Sequence, residues 1–289
     1  MEKDRISRIN DVLFAIHRDI SVDLGAARLA RVAAWSEQHF HRVFREVVGE
    51  SVHSFVRRTR IEHAANQLTF DRDTPILEIA QKCGFHSLSS FSKAFRAVFG
   101  TSPGRWRRGD ATTHSRAWQS DREIAAAYER IQSLPLPEIE LVQIEPIAVA
   151  YVRHRGYDRG IRNAWSKLEA WRIAEQRTEN GQIGLHHSNP TWIPLTQCHY
   201  VACLGIDRPV MRRGPVNGLL IPGGLHARCL LKGHYGELLP WIDKIMTDWL
   251  PQSGLRAATT PAFVRYYRNQ FIDPDECFDL AFHLPVGLV

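Results

Sequence analysis

Little in this chain of 289 residues points to stability built from covalent links or metals. Its five cysteines (Cys83, Cys198, Cys203, Cys229 and Cys277) are odd in number and form no C-x-x-C pair. That argues against a disulfide framework and against a cysteine zinc site, and it makes a reducing cytoplasm the expected compartment. His186, His187 and His199 are metal-capable residues, but no neighbouring Cys, Asp or Glu cluster completes a ligand set, so neither a metal nor another cofactor is expected. No stretch approaches the roughly eighteen apolar residues that a membrane helix needs. The start, Met1-Glu2-Lys3-Asp4-Arg5, is charged and no apolar run follows it, unlike a secretory signal.

An excess of one charge is also missing from most of the chain. Formal net charge is +6, yet residues 109–289 hold 19 Lys+Arg against 19 Asp+Glu. Residues 1–108 hold 18 against 12, so the whole positive excess lies there. This asymmetry fits a polyanion partner for the first part and a neutral or small partner for the rest. The length admits two domains.

What the first third does have is a pattern written twice. Leu29-Ala30 is followed by Ser36-x3-Phe40-x2-Val43-Phe44-x2-Val47-x-Gly49, and Ile79-Ala80 by Ser87-x3-Phe91-x2-Ala94-Phe95-x2-Val98-x-Gly100. The spacing i, i+3, i+4, i+7 marks one face of a helix in each copy. Ser36 and Ser87 are placed as N-caps, and Gly49 and Gly100 as left-handed stops. With Phe40, Val43, Phe44 and Val47 buried, the opposite face of the first helix presents Gln38, His41, Arg42 and Arg45. The second helix likewise presents Leu88, Ser89, Ser92, Lys93 and Arg96. These are side chains that read base edges: Arg or Lys on guanine, Gln on adenine, Leu on the thymine methyl. Two helix-turn-helix units in tandem therefore predict contact with successive major grooves of one DNA duplex, spaced by about 34 Å. A single chain then suffices as a monomer. A helix over Val52–Phe70, with Val52, Phe55, Val56, Ile61, Ala64, Ala65 and Leu68 inward, is expected to fix the distance between the units. Arg57, Arg58 and Arg60 on it fit either a solvated face or phosphate contact, and Arg105-Trp106-Arg107-Arg108 fits either phosphate contact or a basic helix end.

The second half reads differently. Residues 109–135 look like a linker with a short helix (Ile124, Tyr128, Ile131) ended by Leu134-Pro135-Leu136-Pro137. Residues 136–289 then show an order that recurs. A strand over Ile139–His154 leads to a helix over Asp158–Gln176 and strands over His186–Ile193 and His199–Ile206. A strand over His226–Gly233 leads to a helix over Glu237–Leu250 and strands over Phe263–Arg268 and Phe278–Pro285. The predicted fold class is thus multidomain: an all-α N-terminal domain (1–108) with two helix-turn-helix motifs, then an α+β domain of two βαββ repeats. A groove between such repeats suits a ligand, and its candidate lining residues are Tyr151, Trp165, Trp192, Phe263 and Tyr266. Each fits an ordinary core position as well.

Residues of about 8–108 resemble the AraC/XylS DNA-binding domain through Ile76-x2-Ile79-Ala80-x3-Gly84-Phe85-x5-Phe91-Ser92-x2-Phe95-Arg96-x2-Phe99-Gly100-x-Ser102-Pro103. Residues of about 136–286 are similar to the GyrI-like effector-binding domain. The carrying motifs are Asn189-Pro190, Cys198-x-Tyr200-x-Ala202-Cys203, Trp249-Leu250-Pro251-x-Ser253-Gly254, Pro261-x-Phe263-x-Arg265-Tyr266 and Leu284-Pro285-Val286. This order of domains is the layout of Rob-type regulators. The resemblance implies a transcription regulator, usually an activator, that contacts RNA polymerase and senses a small molecule. The chain departs from the family at Val201, Val264 and Ala281, where relatives often have acids. Without those acids the reason to prefer a cation is gone, so a neutral or weakly polar, largely apolar effector is expected. A GyrI-like hydrolase, or a module that sequesters drugs, is the alternative.

Overall fold

The computed structural model describes residues 2–71, 73–109, 121–178, 181–186, 193–210, 215–258 and 260–288. The chain divides into two compact units, Met1–Asp110 with Arg212–Asn217, and Ala111–Met211 with Gly218–Val289.

The first unit is helical: α1 (Glu2–Arg18), α2 (Ala26–Val32), α3 (Glu37–Val48), α4 (Val52–Phe70), α5 (Ile76–Lys82), α6 (Leu88–Phe99) and α7 (Pro103–Arg108). Its caps follow the repeat. The Ser36 hydroxyl accepts the His39 N–H at 3.4 Å and the Ser87 hydroxyl accepts the Ser90 N–H at 3.2 Å. Ser51 and Ser102 cap the next helices in the same way, at 3.2 and 3.3 Å. Gly49 (φ 87°) and Gly100 (φ 69°) end α3 and α6 in the left-handed region. Every apolar position expected on α4 is buried. Burying a side chain such as Phe40, Phe44, Phe91 or Phe95 stabilises by about 1.5–3 kcal/mol.

One expectation fails identically in both copies. Val47 and Val98 are each 41 % exposed. The buried seam instead runs along i, i+4, i+8. Phe40 and Phe44 lie 5.5 Å apart and Val48 packs on the same core, while the rings of Phe91, Phe95 and Phe99 follow one another at 5.7 and 4.9 Å, edge-on and tilted. Val47 and Val98 lie on the same side as the buried residues but in the last turn of each helix, one residue before its end, where the seam's cover runs out.

The arginines divide by role. Arg60 donates to the carbonyls of Ile20 (2.9 Å), Val22 (2.7 Å) and Gly84 (3.0 Å). Arg58 is ion-paired to Glu50 and Glu62, both at 2.7 Å. Arg107 donates to the Thr74 carbonyl at 2.7 Å, and Trp106 is buried with its indole N–H on Thr69 Oγ1 at 3.0 Å. Arg58, Arg60 and Arg107 thus hold the frame, whereas Arg57, Arg105 and Arg108 are exposed.

The second unit opens with α8 (Arg122–Gln132), capped by Asp121. This helix, expected within a linker, packs on the unit itself: Lys244 Nζ reaches the Gln132 carbonyl at 2.8 Å, and Arg130 pairs with Glu237. There follow β1 (Ile139–Ile144), β2 (Ile147–Arg155), α9 (Ile161–Ala174), β3 (Gln182–His186), β4 (His199–Gly205), β5 (Asn217–Ile221) and β6 (Gly224–His234). The chain continues with α10 (Leu238–Lys244), β7 (Leu255–Ala257), β8 (Ala262–Arg268) and β9 (Cys277–Leu288). The main sheet runs β1-β6-β9-β8-β3-β4-β2-β5. The two repeats, β2-α9-β3-β4 and β6-α10-β8-β9, meet at the β3–β8 pairing as near mirror orders. The single strand expected over Ile139–His154 is two strands, because Pro146 offers no N–H to a ladder. β1 then flanks the second repeat and β5 the first, so each repeat lends a strand to the other. The strand expected over His186–Ile193 lies earlier, at Gln182–His186. Gly184 hides it from a propensity reading, yet the Tyr200 ring lies over that position, and an added Cβ would collide with its hydroxyl.

The two turns between α2–α3 and α5–α6 make the same demand on the backbone and meet it with different residues. Ala34 has φ 53° and Gly84, at the matching place, φ 76°. An L-residue costs about 1–2 kcal/mol there. Ala34→Gly is therefore predicted to stabilise by about 0.5–1 kcal/mol. Gly84→Ala would set a Cβ 2.5 Å from the Arg60 guanidinium and should destabilise by about 2–3 kcal/mol. Urea unfolding of the two variants checks both signs.

Candidate nucleic-acid interface and effector face

α3 and α6 hold all nine residues expected to face DNA. Gln38, Arg42, Arg45, Leu88, Ser89, Lys93 and Arg96 are exposed, and His41 and Ser92 are half-buried. The residues that pack beneath them, Phe40, Val43 and Phe44 on α3 and Phe91, Ala94 and Phe95 on α6, are buried, so the packing itself turns these side chains outward. Gln38, His41, Arg42 and Arg45 line one shallow concavity along α3, together with Glu46 and Ser51. Arg42 leans on its own helix, 3.5 Å from Glu46 and 3.2 Å from His39 Nδ1, and His41 lies 3.7 Å from Glu37. Such exposed pairs are worth little, so they preorganise a side chain without tying it down. Arg45, Lys93 and Arg96 have no partner among the described residues. The expected readout residues are therefore together on two surfaces; Glu46 was missed and adds an acid to the first of them.

The five candidate effector residues do not form one group. Residues opposite each other on an antiparallel ladder share a face. One row across the sheet reads Arg153, Val201, Leu185, Phe263, His283, Arg228, and the next reads Tyr151, Cys203, Ile183, Arg265, Ala281, Leu230. Tyr151 and Phe263 thus share a face with Val201 and Ala281. Tyr266 belongs to the opposite face, where its ring meets Trp165 of α9 at 5.9 Å and its hydroxyl lies 3.2 Å from that of Tyr200. Trp165 and Tyr266 are core residues that fasten α9 to the sheet, because a helix must bury its stripe against one sheet face; Tyr151 and Phe263 are buried as deeply, in an apolar cluster with Ile183, Leu185 and Val201 on their own face. Burial holds the phenols of Tyr157, Tyr200 and Tyr266 well above the usual tyrosine range, so they stay neutral. Trp192, His187 and the Asn189-Pro190 motif lie outside the described residues.

The face with Tyr151 and Phe263 also holds residues that aromatic spacing alone missed. His283 stacks on Phe263 (4.5 Å, 9° between planes), with His226 5.5 Å from the same ring. Arg153 lies 5.2 Å over the Tyr151 ring. The described carboxylates on that face are spoken for: Glu140 accepts from Arg228 at 2.7 Å and Asp279 pairs with Lys232 at 2.7 Å. Of the three positions that lack the expected acid, Val201 and Ala281 look onto this face and Val264 onto the other. Among the described residues no group of His, Cys, Asp and Glu could hold a metal, and no helix is long and apolar enough to cross a membrane.

Two capped helices with outward basic faces, followed by a twofold-repeated antiparallel α+β unit, define a helix-turn-helix protein with a second, ligand-type domain. The chain belongs to the GyrI-like family. Residues 137–286 match the GyrI-like small molecule binding domain, and residues 29–109 match a helix-turn-helix domain, of AraC type. A probable transcriptional regulator LumQ from Photobacterium leiognathi is 35 % identical over 108 residues, covering 37 % of this chain and 43 % of that protein. An uncharacterized HTH-type transcriptional regulator from Staphylococcus aureus (strain COL) is 34 % identical over 123 residues, 40 % of this chain and 16 % of its own length. The chain thus spans less than half the length of these curated relatives. The crystal structure of the EcmrR C-terminal domain is similar with a TM-score of 0.44 and 15 % identity, over 54 % of this chain and 100 % of that one.

His283 gives the sheet face a measurable signature. Burial, helped by His226, Arg265 and Arg228, pushes its imidazole down to about 3. The unfolded chain takes up that proton near pH 6.5, at the ordinary histidine value. Folded His283 refuses it, so stability is predicted to fall as pH drops from about 6.5 towards 3. Replacing His283 by Phe should flatten that slope in pH-resolved unfolding curves; an unaltered slope would place the proton uptake elsewhere.

Proposed function

We propose that the chain is a sequence-specific, DNA-binding transcription regulator whose second unit binds a small effector. The observation that carries this reading is the duplicated, serine-capped helix with its seam buried and its polar, basic face outward. Arg42, Lys93 and Arg96 are the base or phosphate contacts, Gln38 and Arg45 read beside Arg42, and Leu88 and Ser89 open the second helix towards the bases. His41 and Ser92 lie at the margins of the two contact faces. Activation, contact with RNA polymerase, action as a monomer and a place beside the chromosome in the cytoplasm belong to the same reading, on the strength of the family resemblance.

Replacing a base-contacting arginine costs about 1–3 kcal/mol and relaxes specificity at one position. The combined Arg42→Ala, Lys93→Ala variant should therefore bind a duplex selected from random DNA by the parent chain at least tenfold more weakly. Equal affinity of variant and parent in a fluorescence anisotropy titration would end the assignment.

The effector belongs on the face of Tyr151 and Phe263. Val201 and Ala281 leave that face without the acids that a cation needs, and Glu140 and Asp279 are neutralised by their partners. A buried charge without a counter-charge is costly, so a neutral, largely apolar molecule is the best match. Calorimetry against cationic dyes should show no micromolar binding, whereas uncharged aromatic compounds should bind and lose affinity in Phe263→Ala. Tight binding of the dyes by the full chain would reverse this choice of ligand. The hydrolase alternative needs an acid or base within reach of a bound substrate; His226 and His283 are the imidazoles on this face, and burial pushes that of His283 down to about 3, which leaves it a weak base.

A further inference from the structure

The two helix-turn-helix copies are not in perfect register, and the misfit falls in one place. Leu29, Ala30, Ala34 and Trp35 match Ile79, Ala80, Gly84 and Phe85, fifty residues on; the two turns even close alike, with Trp35 N–H on the Ala30 carbonyl and Phe85 N–H on that of Ala80. From the N-caps Ser36 and Ser87 onward the offset is fifty-one. The extra residue is His86, and it is exposed.

His86 lines a cleft of about 370 Å³ on α4, between the first unit's α1–α2 loop and the second copy's turn. Arg60 forms its floor, held by the three carbonyls named above, so it supplies positive field from a fixed position. Arg57 and His53, one turn apart on α4, line the same cleft and are exposed. Arg57 has no partner among the described residues, in contrast to its neighbour Arg58, which two glutamates occupy. The cleft's one carboxylate, Asp23, is turned to its own loop, with Oδ1 accepting the Gly25 N–H at 2.8 Å. The cleft borders both expected readout faces. The His53 ring lies 5.6 Å from that of His41 on α3, and His86 directly precedes the cap of α6.

A basic, carboxylate-poor cleft beside both proposed major-groove readers is placed for the stretch of duplex between one groove and the next. Double-stranded DNA carries about one negative charge per 1.7 Å along its axis, so a sugar–phosphate strand is the occupant with matching charge. We propose that this cleft seats the DNA backbone between the two half-sites, with Arg57 as its principal phosphate contact and His53 and His86 flanking it. The proposal rests on the DNA-binding reading above.

A phosphate contact weakens binding to all sequences alike and contributes to salt dependence, whereas a base contact does neither uniformly. The test uses the whole 289-residue chain and a duplex that the parent chain selects from random DNA. In Arg57→Ala, affinity should fall by about tenfold at low salt for the selected and a scrambled duplex alike, and the slope of log K against log salt should be shallower by about one. Arg57→Lys should keep the parent slope. Methylphosphonate at the phosphates between the half-sites should weaken the parent chain but cost Arg57→Ala nothing further, the signature of a coupled pair. Thermal melting of these surface variants should match the parent. If Arg57→Ala keeps the parent slope on a duplex that Arg42→Ala binds weakly, the cleft proposal falls while the DNA-binding reading stands. Failure of the parent chain to select any duplex overturns both.

Discussion

The Arg60 guanidinium is the contact on which the first unit's geometry depends. It reaches from the middle of α4 to the carbonyls of Ile20 and Val22 on one side and of Gly84 on the other. One planar cation with five donors thereby ties the loop ahead of the first helix-turn-helix to the turn inside the second. Burial lowers its pKa from the ordinary arginine value, with Cys83 and Asp23 acting the other way, and an arginine so placed is still charged at any physiological pH. Hydrogen bonds from a charged donor are stronger than neutral ones. The spacing of the two copies is thus set by a hydrogen-bonded strut as well as by the apolar seam of α4. Gly84 is glycine for the same reason: its turn needs a positive φ, and the strut occupies the space a side chain would take.

This explains which parts of the fold were legible from the residues. The bounds of α4, the serine caps and the glycine stops were all readable, because each depends on local chemistry within a turn of the residue concerned. The roles of Arg57, Arg58 and Arg60 were not. Three arginines within four positions look alike in a sequence, and only tertiary packing sorts them into an exposed cation, a doubly paired one and a strut. Val47 and Val98 failed for a related reason: the period places them on the buried side, but whether the last turn of a helix is covered depends on its neighbours, which pattern counting leaves undetermined.

In the second unit, the βαββ repeat was legible as an order of periodicities, while the exchange of β1 and β5 between repeats was not. Pairing partners are non-local, and one hydrophobic strand reads much like another. The same limit split the aromatic set. Tyr151, Phe263, Tyr266 and Trp165 are equally apolar in a sequence, but strand parity sends Phe263 and Tyr266 to opposite faces, three residues apart on β8. His226 and His283, beside Phe263, went unnoticed because lone histidines carry no periodic signal.

A rigid two-headed reader has consequences for the proposed function that a flexible pair would not. With both helices on one frame, ordering the second reader is completed during folding, so its engagement acts as an intramolecular step rather than a second association. The same rigidity transfers any misfit to the DNA. A half-site spacing that departs from the protein's own must be met by bending or twisting the duplex, at an energy that depends on base steps the protein never touches. The two faces also differ in kind. α3 offers Gln38, Arg42 and Arg45, long donors suited to bidentate pairing. α6 opens with Leu88 and Ser89, short or apolar groups, and keeps its cations, Lys93 and Arg96, further along the helix. On the proposed reading, hydrogen-bonded base recognition is concentrated in the half-site under α3, and the half-site under α6 is read more by methyl contact, backbone charge and shape. Sequence preference should then be unequal between two half-sites bound by near-identical folds, because the repeat conserves the buried seam and leaves the exposed face free to diverge.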